Sequence, residues 1–106
     1  MMTVTFAEEG NKLSLRLEGH AGYAEIGNDI VCASASILAY TLASIVDSFD
    51  IESTINLESG DTTIECKCED AEIYGKVADV YHYIEMGYAL LAHNYPQYVS
   101  LHTDLT

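Results

Sequence analysis

The sequence predicts an α+β fold: a mainly antiparallel sheet with two helices on one face, in the order ββαββαβ. Three observations carry this. Short alternating stretches come in two pairs joined by tight turns containing glycine, which is the mark of hairpins. Each pair is followed by a longer apolar-rich stretch that begins just behind an aspartate, as capped helices do. A further alternating stretch follows the single proline, Pro96. Paired hairpins make the sheet antiparallel and leave the helices to cover one side.

In chain order, Thr3 to Glu8 alternates with Val4 and Phe6 on one face, and Glu9-Gly10-Asn11 is a turn. Lys12 to Glu18 puts Leu13, Leu15 and Leu17 on one face and Ser14 and Arg16 on the other. Gly19 to Asn28 carries Gly19, Gly22 and Gly27, too many glycines for a regular element, and reads as a mobile loop. Asp29 caps a helix from Ile30 to about Asp47, apolar on most sides and therefore largely buried. Ser53 to Glu58 and Thr62 to Cys68 form the second hairpin around Glu58-Ser59-Gly60-Asp61. Ile55 and Leu57 face inward on one strand, and Ile64, Cys66 and Cys68 on the other. Asp70 caps a second helix to about His93, with Ile73, Val77, Val80, Ile84, Tyr88 and Leu91 as its apolar stripe. Gln97 to Thr103 alternates again, with Val99 and Leu101 on one face.

A chain of 106 residues suits one domain, here residues 1–106, with a modest core that association of two copies would supplement. The formal charge of −13, from 4 basic and 17 acidic residues, argues against a nucleic-acid backbone as direct partner. It suits a basic protein or peptide; plain solubility accounts for it equally well. The longest apolar runs are broken by Ser, Asp or Tyr, so no segment is expected to span a membrane. The start, MMTVTFAEEG, lacks the basic and apolar regions of a signal peptide, which points to a cytoplasmic protein. Three cysteines without a secretion signal do not suggest a disulfide framework. Cys66 and Cys68 share a strand face in TTIECKCED and read as core residues, since no further ligands lie near them in sequence to complete a zinc site.

The stretch GHAGYAEIGNDIVCASAS is where chemistry can reside. With Asp29 as N-cap, Cys32 falls at the third helical position. There the helix end stabilises a thiolate, and its unpaired N–H groups are expected to hold an oxyanion. His20 lies just past the second strand and can reach Cys32 if that strand ends beside the helix start. Asp29 either orients His20 or only caps the helix, and capping needs no special geometry. Ser36, one turn beyond Cys32, either lines the pocket or permits close packing. The glycines suit a lid over an active site; the loop lacks the lysine of a phosphate loop. His82, His93 and His102 share no motif and read as surface or helix-end residues, and Tyr74, Tyr81, Tyr83 and Tyr88 as packing on the second helix.

Gly19-His20-Ala21-Gly22-Tyr23-Ala24, followed by Gly27-x-Asp29-Ile30-Val31-Cys32-Ala33 and Ser36, resembles the ribosomal-processing cysteine protease family, Prp. The resemblance implies a nucleophile at Cys32, a catalytic histidine at His20 and family positions at Asp29 and Ser36, with Gly19 and Gly22 as supporting residues. It implies homodimers that need no metal or cofactor. Their substrate is the precursor of bacterial large-subunit ribosomal protein L twenty-seven, a basic protein whose short N-terminal extension they remove. Family members often carry Ala-Ala-Val-Ser after the Val-Cys pair. This chain has Ala33-Ser34-Ala35-Ser36, and Ala35 is expected to leave a smaller side chain near the pocket. Two other classes stay in view: a non-catalytic acidic dimeric module that binds a basic ribosomal protein, and a thiol redox role for Cys32, which has no resolving cysteine close in sequence.

Overall fold

The computed structural model describes residues 1–25 and 28–105. The order is β1 (Met2–Glu9), β2 (Lys12–Glu18), α1 (Ile30–Ser48), β3 (Glu52–Glu58), β4 (Asp61–Lys67), α2 (Ala71–Asn94) and β5 (Val99–Leu105). This is the predicted ββαββαβ order. The five strands form one sheet in the spatial order β3-β4-β2-β1-β5. The two hairpins lie side by side through antiparallel β2 and β4, in a register that sets Leu15 opposite Ile64. β5 joins the far edge parallel to β1, with Val4 opposite Leu101. The sheet is therefore mostly antiparallel with one parallel pair.

Alternation places Val4, Phe6, Leu13, Leu15, Leu17, Ile64 and Cys66 on one buried face, which the two helices cover. From α1 come Val31, Ala35, Ala39, Leu42, Ala43 and Val46, and from α2 Val77, Tyr81, Ile84, Tyr88 and Leu91. Phe6 meets Tyr81 edge-on at 6.5 Å and Tyr88 at 5.8 Å. Both buried hydroxyls are satisfied: Tyr81 donates to Ile64 O at 3.0 Å and Tyr88 to Ala35 O at 2.7 Å. Gly87 lets the helices approach closely, since a Cβ there would lie 2.8 Å from Leu38 Cδ2.

Five expectations need correction. α1, at 19 residues, is long and apolar enough by length and composition to cross a membrane, contrary to the reading of broken apolar runs. Nor is it largely buried: one stripe packs on the sheet, while Ile30, Ile37 and Tyr40 on its other sides are exposed. Leu57 is 40% exposed, near the end of β3, which is the edge strand of the sheet. Ile55 is half-buried. The last strand starts at Val99, because Tyr95 O accepts the N–H groups of Tyr98 and Val99 and so makes Pro96–Tyr98 a turn.

Candidate active site

The connection from β2 to α1 and the β3–β4 turn meet at one end of the sheet. Gly19 N–H donates to Gly60 O at 2.9 Å and ties them together. Gly19 has φ +82°, and a Cβ there would stand 2.9 Å from Met1 O, so only glycine fits this crossing.

Asp29 organises the connection. Its Oδ1 accepts from Val31 N and Cys32 N, both at 2.9 Å, which caps α1. Its Oδ2 accepts from Tyr23 N at 3.0 Å and Ala24 N at 3.3 Å. Burial alone would raise its pKa. The N–H donors of Cys32, Ala24 and Tyr23, with the Cys32 side chain, outweigh burial and hold the carboxyl below the ordinary aspartate value. With both oxygens engaged by backbone, Asp29 is a cap and a strap for the loop. The Tyr23 ring adds a second strap, packed edge-on against Tyr98 at 5.2 Å and Tyr95 at 5.6 Å.

Cys32 sits at the third position of α1, half-buried, and its Sγ accepts from Ala21 N at 3.4 Å. Ala21 is buried beneath the loop. His20 is exposed, and its ring lies against the β3–β4 turn: a Cβ at Gly60 would meet Nε2 at 2.9 Å. His20 and Cys32 face the same cleft, which has two adjoining hollows. One, of 140 Å³, reaches past Ser36 to Met2, Leu17, Ala39 and Tyr40, with Glu58 and Asp61 among its other lining residues. The other, of 490 Å³, is bounded by Gly22, Ala24, Glu25, Asp29, Ala33 and Ser59, again with His20, Cys32 and Ser36.

Cys32, His20, Asp29, Ser36, Gly19 and Gly22 are thus brought to one place, and Gly27 of the motif lies outside the described residues. Two readings change. The N–H groups of Val31, Cys32 and Ala33, expected to hold an oxyanion, are engaged, the first two by Asp29 Oδ1 and the third by Asp29 O. Ala35 faces the core, fully buried, and lines neither hollow. Three contributors were missed: Gly60, the Ala21 N–H and the Tyr23 strap. The first has no sequence signal toward His20, since strand pairing alone joins them.

Cys66 and Cys68 are in the core, where burial pushes the Cys66 thiol up to about 11 and the Cys68 thiol upward as well. His82 pairs with Glu8 on the surface at 3.4 Å, His93 is in the last turn of α2, and His102 contacts Ser100 at 3.1 Å. Tyr81 and Tyr88 pack in the core as expected of the α2 tyrosines, whereas Tyr83 is 68% exposed.

A thiol at a helix start and an imidazole on one open cleft is the layout shared by thiol hydrolases. The model of the family described as cysteine protease Prp matches residues 1–100, and the chain belongs to that family. Among solved structures, it is similar to an essential ribosomal processing protease Prp from S. aureus with a covalently linked product peptide. The TM-score is 0.83 at 21% identity, covering 98% of this chain and 100% of that one. The same protease with a substrate peptide matches with a TM-score of 0.73 at 19% identity, over 98% and 100% of the two chains. SMU.848 from Streptococcus mutans matches with a TM-score of 0.72 at 26% identity, over 100% and 96%. No curated protein matches.

Proposed function

We propose that this protein is a cysteine endopeptidase that removes the N-terminal extension of ribosomal protein L twenty-seven in the cytoplasm, with Cys32 as nucleophile and His20 as general base. The observation that carries the reading is the convergence of Cys32 and His20 on the same two hollows. Membership of the cysteine protease Prp family supports the reaction class.

His20 takes the Cys32 proton, and the sulfur attacks the scissile carbonyl carbon. The Ala21 N–H, already directed at Sγ, is the donor for the oxyanion that forms beside it. The tetrahedral intermediate collapses as His20 returns the proton to the leaving amine, which gives a thioester and a free C-terminal fragment. His20 then takes a proton from water, hydroxide attacks the thioester, and the acyl product departs as Sγ recovers a proton. Ser36 lines both hollows, and Glu25 and Glu58 suit the basic body of the substrate.

The test is cleavage of the L twenty-seven precursor, read by mass spectrometry, beside Cys32→Ala and His20→Ala. One N-terminal cut that both substitutions abolish is the expected result. Tight, salt-sensitive binding with no product would instead favour the acidic binding module, a reading motivated by the charge of −13.

We also propose that the enzyme is a homodimer joined through the outer groove between α1 and α2. The groove has a volume of 560 Å³ and is lined by Ser34, Ile37, Leu38, Gly87, Leu90, Leu91, Asn94 and Tyr95, with no charged residue among them. Two chains of charge −13 repel elsewhere, so an uncharged apolar face is where a second copy fits. Leu90→Glu should convert a dimer to a monomer in sedimentation equilibrium; an unchanged dimer would exclude this face.

A further inference from the structure

We propose that Gly60, in the β3–β4 turn, is a positioning residue for the His20 imidazole; this rests on the reading of His20 as general base. Its geometry differs from that of an ordinary turn glycine. Gly10, in the β1–β2 turn, also has positive φ (+60°), yet a Cβ there would meet nothing within 4 Å. Gly60 has φ +77°, and a Cβ there would lie 2.9 Å from His20 Nε2, 3.3 Å from Cε1 and 3.6 Å from Cδ2. The imidazole therefore occupies the space a side chain would take. The turn is also fastened to the chain beside His20 through Gly19 N–H to Gly60 O. Asp61 is held in turn by Arg16, at 3.4 Å, and Asn56 donates to Asp61 O at 3.3 Å.

The physical consequence concerns entropy and direction. His20 is exposed and follows a glycine, so its own backbone restrains it little. Against the fixed turn its ring is confined to the cleft wall that Cys32 also lines. Displacing a base by about 1 Å can cost on the order of 10²-fold in rate. A Cβ at position 60, 2.9 Å from Nε2, requires the ring to shift from this position. Ser59 and Glu58 flank the cleft on the same turn, so the turn both seats the base and borders the substrate path.

The test compares Gly60→Asn with Gly10→Asn, since asparagine tolerates the left-handed backbone at both turns. Precursor cleavage gives kcat and KM, and iodoacetamide alkylation of Cys32 against pH reports the base independently of substrate. Gly60→Asn should lower kcat on the order of 10²-fold with KM within about twofold, and should shift the alkylation profile. Gly10→Asn should leave all three unchanged. In a His20→Ala background, Gly60→Asn should add nothing further. Should Gly60→Asn fail to fold, the ring contact is read at Gly60 itself: the Gly60 amide resonance should move in His20→Ala while that of Gly10 stays in place. A folded Gly60→Asn with unchanged kcat and profile, beside an inactive His20→Ala, would overturn the role of Gly60 and leave the base assignment standing. So would a Gly60 resonance blind to His20. His20→Ala that cleaves normally would overturn the base assignment and, with it, this proposal.

Discussion

Asp29 and Asp70 start their helices with the same two bonds. Asp29 Oδ1 accepts from Val31 N and Cys32 N at 2.9 Å, and Asp70 Oδ1 from Glu72 N at 2.9 Å and Ile73 N at 3.0 Å. The third helical position is Cys32 in one half and Ile73 in the other. The halves differ in what precedes the cap. β4 passes to α2 through residues 68–70, whereas β2 passes to α1 through residues 19–29. In the first half that longer connection folds back over the helix start, takes the second oxygen of Asp29, brings Ala21 N–H to the thiol and sets His20 on the cleft that Cys32 also lines. The same ββα unit thus serves as scaffold in one copy and carries the candidate site in the other, and the connection before the cap makes the difference.

The comparison breaks most sharply at the third helical position. Cys32→Ala should reduce precursor cleavage about 10⁴-fold or more, read as product per minute at saturating precursor. Ile73→Ala removes a partly buried core contact and should lower the urea midpoint while leaving kcat of the folded enzyme unchanged. Equal loss of activity in both would mean that Cys32 matters only for packing.

The cysteines sharpen it further. Cys32 is half-buried on the cleft, whereas Cys66 and Cys68 are buried, with thiols pushed upward by desolvation. Native protein at neutral pH should take one iodoacetamide adduct, at Cys32, and three only after denaturation. Peptide mapping would show it, and rapid native labelling of Cys66 would contradict the buried assignment.

Much of this is legible in the sequence for local reasons. Period-two alternation marks both hairpins, and two aspartates ahead of apolar stretches fix both helix starts, so counting from Asp29 puts Cys32 at its helical position. What escapes is non-local. The alternation of Val99 and Leu101 does not say which edge β5 joins, so its parallel pairing with β1 has no sequence mark. Gly60 looks like any turn glycine because its partner, His20, arrives by the pairing of β2 with β4. The strap on Tyr23 N and Ala24 N escapes because a carboxylate that caps with one oxygen and holds a loop with the other has no sequence pattern.

The caps themselves separate by stability. Asparagine caps about as well as aspartate, so Asp70→Asn should change stability by no more than about 0.5 kcal/mol. Asp29→Asn keeps one oxygen and turns an NH₂ toward N–H donors, for a loss of about 2–3 kcal/mol. The pH dependence follows from the lowered pKa of Asp29. Its stabilisation is complete above the unfolded value, near about pH 4, and is lost as pH falls through the lower folded value. The gap between the parent protein and Asp29→Asn in urea midpoint should therefore narrow below about pH 4 and stay constant above it. A gap that widens in acid would reverse the sign and remove Asp29 from the ionised strap.

The smallest effect concerns Tyr23, the second strap. Its ring meets Tyr95 and Tyr98 edge-on, and each such pair contributes about 0.5–1.5 kcal/mol beyond burial. The residue is 42% exposed, which places Tyr23→Leu near the lower end, at about 1 kcal/mol. The informative quantity is activity, because Tyr23 lines neither hollow yet holds the segment from which Ala21 N–H reaches Sγ. If the rings hold that donor in place, kcat should fall a few-fold with Cys32 alkylation little changed, since alkylation forms no oxyanion. If Asp29 alone holds the loop, stability should fall while kcat does not, and the aromatic contact belongs to folding only.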